Sequence, residues 1–175
     1  MALQINHRVS ADFDFFSETK IAQGLFRQIE KKFKTEPITV QVNNPEELTL
    51  TIGGVKLTFL YYPFPALGKF AYYQKLKLLN IPEIGAAKAY ALGRRATYRD
   101  YIDLYFILSE KHTGLAELMA LSKKKYQRHF DPRLFLEQLI YLEDVEDLEV
   151  RFLKQPVTKQ EVERFFQKEV RKIEL

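Results

Sequence analysis

The sequence predicts an α+β protein: a small mixed or antiparallel sheet of four to five strands packed by helices, then a helical C-terminal half. Three observations predict it. Apolar residues alternate with period two through much of the stretch from Val9 to Tyr62. Two of those alternating runs meet at Gly53-Gly54, where both glycines can take positive φ, so they read as a hairpin. From Ile84 onward the apolar spacing becomes that of helices.

The elements follow in chain order. From Val9 to Phe16, Val9, Ala11, Phe13 and Phe15 fall on one face of a strand, and Ser10, Asp12 and Asp14 share the other. Ser17 is suited to cap a helix over 18–33, with Ile21, Leu25, Phe26 and Ile29 at helical spacing. Strands are expected at 38–42, 47–52 and 55–62, where Pro63 and Pro65 end the pairing. Residues 72–80 supply one further strand. Helices are expected at 84–94, 98–111, 114–126, 131–144 and 158–173. Pro132 behind Asp131 marks one start, and Thr158 with Glu161 makes a capping box at another.

A chain of 175 residues, 46% hydrophobic with 14 Phe and 10 Tyr, has ample material for a core. Its organisation reads as a sheet-containing part over 1–80 and a helical part over 81–175 that closes a cleft, within one unit. With no cysteine, disulfides, thiolate metal sites and cysteine nucleophiles are excluded, so any chemistry rests on oxygen and nitrogen groups. No window resembles a signal peptide or approaches the roughly 18 apolar residues of a membrane span, so a cytoplasmic protein without membrane contact is expected. The net charge of +4 permits contact with RNA or nucleotides without demanding it.

Two constellations carry candidate chemistry. Asp12 and Asp14, at i and i+2 of a strand, stand side by side, where their oxygens can share a hard divalent cation. A solvated outer face would equally accommodate them. Further on, Lys88 and Arg95 fall on one helical face with Ala91 between them, a surface suited to a polyphosphate. Arg99, Asp100 and Asp103 open the next helix, where Arg99 and Asp103 also have the spacing of an ordinary helix ion pair. His7-Arg8 precedes the acidic strand and can meet a phosphate, although a His-Arg pair there is more commonly a surface or capping feature. Basic clusters at 31–34 and 123–129 suit helix ends, and the second holds a tyrosine able to stack on a base.

The segment "ALQINHRVSADFDFFSE" joined to "KAYALGRRATYRDYIDLYFIL" resembles the nucleotidyltransferase AbiEii/AbiGii toxin family of the DNA-polymerase-β-like nucleotidyltransferase superfamily. The specific signature is the pairing of H-R-x-S-x-D-x-D with the later lysine, arginine and acid motif. The resemblance implies a nucleotidyltransferase-like sheet and a Mg²⁺-dependent transfer of a nucleotide from NTP to an acceptor, a tRNA or other RNA or a protein. It also implies a toxin in a toxin–antitoxin or phage-defence system, with a cognate antitoxin protein. By the same resemblance Asp12 and Asp14 hold one or two Mg²⁺ ions, and Lys88 meets the triphosphate. Asp100 or Asp103 holds that lysine or activates the acceptor, and Arg8, Arg95 and Arg99 help neutralise phosphate. The family's glycine-rich phosphate turn is not among these residues, which start at Met1 in what reads as the end of its first helix; a start upstream or a lost cradle both account for that. "VKLTFLYY" offers Thr58, Tyr61 and Tyr62 but no third carboxylate. These departures motivate an alternative, a catalytically inactive member acting as an RNA- or protein-binding module.

Overall fold

The computed structural model describes residues 1–95, 97–146 and 149–173. The chain divides into two compact units, one formed by Ser10–Pro65 and the other by Met1–Val9 together with Ala66–Leu175. The division thus falls at 65/66 where the sequence suggested 80/81, and the first nine residues join the helical unit. The reason is visible in the backbone. Val9 donates to the Arg151 carbonyl and Leu153 donates to that of His7, so residues 7–9 run against 151–153, closed by an antiparallel bridge between Arg8 and Phe152.

The sheet unit holds β1 (Asp12–Ser17), α2 (Leu25–Lys32), β2 (Ile38–Asn43), β3 (Glu47–Ile52) and β4 (Val55–Tyr61); a short α1 (Ala2–Ile5) precedes it in the other unit. Its four strands are ordered β1-β4-β3-β2. β1 pairs parallel with β4, while the other neighbours are antiparallel, so the sheet is mixed. Leu48, Leu50 and Ile52 of β3 are buried against Ile21, Leu25, Phe26 and Ile29, which places α2 on one face of the sheet. The β3–β4 turn is made by Gly53 and Gly54 at φ 54° and 84°, the left-handed conformation that the hairpin reading requires.

The expected helix over 18–33 is shorter and starts later, at Leu25. Ser17 is not its cap. It is the last residue of β1, paired with Tyr61, and its hydroxyl turns to Thr19. The strand that carries the acids starts at Asp12, because Val9 is engaged with Arg151 in the other unit.

The helical unit contains a small hairpin, β5 (Ala71–Tyr73) with β6 (Leu76–Leu78), where a single strand over 72–80 was expected. Gln74 turns the chain there at φ 54°. Five helices follow: α3 (Ile81–Leu92), α4 (Tyr98–Ser109), α5 (Leu115–Tyr126), α6 (Pro132–Leu139) and α7 (Lys159–Val170). The predicted caps at Asp131 and at Thr158 with Glu161 are both made. α3 begins ahead of its expected start because Asn80 caps the Glu83 N–H and Pro82 sits in its first turn. A Cβ on Gly85 would stand 3.0 Å from Leu118, so the small residues Gly85, Ala86 and Ala89 let α3 lie close against its neighbours. Ile102, Leu104 and Ile107 of α4 are buried with Leu118, Val162 and Phe166. No helix among the described residues is long and apolar enough to cross a membrane.

Candidate functional site

In the sheet unit, Asp12 and Asp14 lie on the edge strand β1, both exposed. Register puts Asp12 beside Lys56 and Asp14 beside Thr58 of β4. Among the described residues neither carboxylate has a hydrogen-bond or ion-pair partner. Like charges so placed repel, and the Lys56 ammonium opposite Asp12 is the cation that register sets beside them. Thr58 in turn pairs with Thr49 of β3, whose hydroxyl donates to Glu47 at 2.6 Å. No group of three or more His, Cys, Asp or Glu side chains is arranged to hold a metal ion among the described residues. A two-carboxylate donor set still fits Mg²⁺, which keeps several waters and is commonly held by one or two carboxylates with substrate phosphates completing the shell.

In the helical unit, a second cluster is built around Asp103, whose side chain is 1% exposed. α4 carries Asp100 and Asp103 three residues apart on one side, and α3 sends Lys88 between them. The Lys88 ammonium lies 2.7 Å from Asp100 Oδ1 and 2.9 Å from Asp103 Oδ2. Arg8 approaches Asp103 as a fork, Nε to Oδ1 at 2.7 Å and Nη2 to Oδ2 at 2.9 Å. His7, fully buried with its ring against Phe106, places Nε2 at 2.8 Å from Asp103 Oδ1. An ionised carboxylate only accepts, so Nε2 carries the proton, and Nδ1 is left buried with no partner among the described residues. The Thr97 hydroxyl donates to Asp100 Oδ2 at 2.6 Å.

The electrostatics follow from that packing. Burial disfavours the charge on Asp103, but the His7 hydrogen bond, the Lys88 ammonium and the Arg8 fork outweigh it and hold the carboxyl far below the usual range. Burial likewise works against the Lys88 charge, and Asp103 and Asp100 outweigh it, so its pKa lies above that of an ordinary lysine. Lys88 is therefore a fixed cation at neutral pH, with 26% of its side chain open to solvent.

The structure brings Arg8, Lys88, Asp100 and Asp103 together, and leaves the other arginines apart. α3 ends at Leu92, so Arg95 does not share a helical face with Lys88; it is exposed beyond the helix. Arg99 is exposed on α4, and Asp103 is engaged by His7, Arg8 and Lys88 instead of the helix ion pair with Arg99 that its spacing suggested. His7, more commonly read as a surface residue, is among the most buried polar groups. Sequence reasoning also missed the Glu83–Lys125 pair, 2.9 Å apart and buried on both sides. Burial opposes ionisation of Glu83, but the backbone N–H groups of Leu67 and Gly68, together with Lys125, more than compensate and lower its pKa.

Residues 1–174 match the family described as nucleotidyl transferase AbiEii toxin, type IV TA system. Fold and match together define the chain as an α+β protein of the nucleotidyltransferase class. More narrowly, it belongs to the AbiEii toxin family. An Aquifex aeolicus (strain VF5) protein, uncharacterized protein aq_aa25, is 30% identical over 181 residues, spanning 98% of this chain and 82% of its own length. The crystal structure of a candidate nucleotidyltransferase from H. pylori aligns with a TM-score of 0.47 at 17% identity, over 96% of this chain and 82% of the other. JHP933 from Helicobacter pylori aligns at 0.45 with 16% identity, over 94% and 78%.

Proposed function

We propose that the protein is a Mg²⁺-dependent transferase that moves a nucleotide from an NTP to an RNA or protein acceptor, acting as a toxin held in check by an antitoxin protein. The observation that carries this reading, beside family membership, is the pair Asp12 and Asp14: two adjacent, exposed carboxylates with no partner among the described residues. Such a pair is a ready-made donor set for a divalent cation, whose charge would relieve the repulsion between the two acids. Asp12 and Asp14 would hold the metal, which when bound supplies charge stabilisation to the entering and leaving oxygens of phosphoryl transfer.

The remaining roles belong to the helical unit. Lys88, permanently charged and part-exposed, meets the phosphates of the nucleotide. Asp100 and Asp103 hold its ammonium in place. Asp103 already accepts from three residues, so it has little basicity left to take a proton from an acceptor hydroxyl; holding is its role. Arg8 fixes Asp103 and leaves phosphate neutralisation to Arg95 and Arg99, which are exposed.

The test is incubation with radiolabelled NTPs, Mg²⁺ and total tRNA or bacterial protein. Label transfer is expected, and is lost in Asp12→Ala, Asp14→Ala and Lys88→Met. Transfer that is absent, or unchanged in Asp12→Ala, overturns the reading. The lack of an acid on β4 beside Asp14 favours a second reading, a catalytically silent binding module, which predicts ligand binding in EDTA and no transfer under any condition.

A further inference from the structure

From Ala66 to Asn80 the chain carries three lysines and no acid, with Phe70, Tyr72 and Tyr73 among them. The structure folds this stretch into the β5–β6 hairpin and leaves its aromatic groups in water: Tyr72 is 67% exposed and Tyr73 52%. Tyrosines normally lay their rings on apolar surface, whereas Tyr72 and Tyr73, on opposite faces of β5, both stand clear of it. The register sorts the side chains. Tyr72 is directly opposite Lys77, and Phe70 lies two residues before Tyr72 on the same face, with the Lys77 ammonium 5.7 Å from its ring centre. One face of the hairpin therefore presents an aromatic, a cation and a second aromatic in sequence.

The hairpin leads at its base into a cleft of about 470 Å³ lined by Lys69 and, from α5, Lys124. Glu83 also lines it, but its oxygens are committed to Lys125 and to the N–H groups of Leu67 and Gly68. Among the described residues none of Lys69, Lys75, Lys77 or Lys124 is in an ion pair with a carboxylate, and all four are exposed. The line from hairpin tip to cleft is thus cationic, and interleaved with flat rings.

We propose that the β5–β6 hairpin and the cleft at its base bind single-stranded RNA, with bases stacked on Tyr72 and Phe70 and phosphates met by Lys69, Lys75, Lys77 and Lys124. Every base offers a π-face, and every phosphate an anion, so stacking platforms alternating with lysines suit an unpaired strand irrespective of its sequence. A duplex hides those faces within its own stack. An acidic protein would also cover lysines and rings, but an unpaired strand repeats flat base and anion in the alternation that the hairpin presents. What this adds is the binding surface, and it rests on the proposed reading only where the bound strand is taken as the acceptor.

Binding is measured on the full chain by fluorescence anisotropy with a fluorescein-labelled oligoadenylate of about a dozen nucleotides, in EDTA and without NTP. Wild type binds. Tyr72→Ala weakens binding about tenfold, the loss of one stacked base, whereas Tyr72→Phe retains it. Replacing Lys69, Lys75 and Lys77 by Gln lowers the slope of log K against log salt by about 2, as three lost phosphate contacts require. Circular dichroism shows that these exposed substitutions leave the fold intact. Equal affinity in Tyr72→Ala and wild type overturns the proposal, as does equal binding of a duplex of the same length. So does a Tyr72→Ala variant that keeps its RNA affinity but no longer binds the antitoxin. Because neither metal nor NTP is present, absence of transfer activity leaves this result standing, and absence of binding leaves the transferase reading standing.

Discussion

Replacing Asp103 by Asn keeps the side chain's shape and removes its charge. The carboxylate accepts from His7 at 2.8 Å, Arg8 at 2.7 and 2.9 Å and Lys88 at 2.9 Å, in a place 1% exposed. Asparagine offers one acceptor oxygen where two worked, and turns an NH₂ toward a donor. Lys88 then keeps Asp100, while the Arg8 fork loses both of its contacts to a carboxylate at Asp103. Breaking a buried ion pair from one side costs about 3–5 kcal/mol, a large part of the roughly 5–15 kcal/mol that keeps a domain folded. Asp100→Asn serves as the internal reference. It loses contacts to Lys88 and Thr97 at a more open position while Lys88 retains Asp103, so about 1–2 kcal/mol is expected. Urea unfolding followed by circular dichroism measures both. The pH dependence gives a second reading of the same energy. Asp103 has a depressed pKa when folded, so its stabilisation is present above the unfolded value near about 3.9 and is lost as pH falls toward the lower folded value. The gap between wild type and Asp103→Asn should hold steady from neutral pH to about 4 and narrow below it. A gap under about 1 kcal/mol at neutral pH, or one that widens in acid, refutes the reasoning.

Two further outcomes follow from the same electrostatics. Lys88, whose pKa is raised, contributes stability that is complete below the ordinary lysine pKa and is lost as pH rises through its higher folded value; an NMR titration of its side chain should find it losing its proton above the ordinary lysine value, and a loss below that value contradicts the geometry. Glu83→Gln should destabilise by about 3–5 kcal/mol because it takes the carboxylate away from the buried Lys125 ammonium. The double variant Glu83→Gln, Lys125→Met should recover part of that by thermal unfolding, and no recovery would show that Glu83 acts mainly on the Leu67 and Gly68 backbone.

The parts of the fold written in local chemistry were legible. Alternation marks β2, β3 and β4, and Gly53-Gly54 marks their turn, because strand faces and positive φ are decided within a few residues. Asp131 and Thr158 announce their helices for the same reason. What failed was decided at a distance. Ser17 looks like a helix cap until Tyr61 pairs with it, and that partner lies on another strand. His7 reads as a surface residue because its partner is 96 positions away. The resemblance to AbiEii proteins singled out Lys88, Asp100 and Asp103 without telling which group engages which. The Glu83–Lys125 pair leaves no signature, because Glu83 stands in no motif and Lys125 lies in the basic cluster at 123–129 that reads as a helix end.

The first nine residues belong with residues 66–175, and this sets an order of events during synthesis. Every strand of the four-stranded sheet has left the ribosome once Tyr61 has, so residues 10–65 are able to close their core while most of the remaining chain is still unmade. His7 and Arg8 must wait. Their seat exists only after Asp103 emerges, and the backbone that pins them only after Leu153. The nascent chain is therefore without its assembled lysine cluster until translation is nearly over, a delay that its own threading imposes.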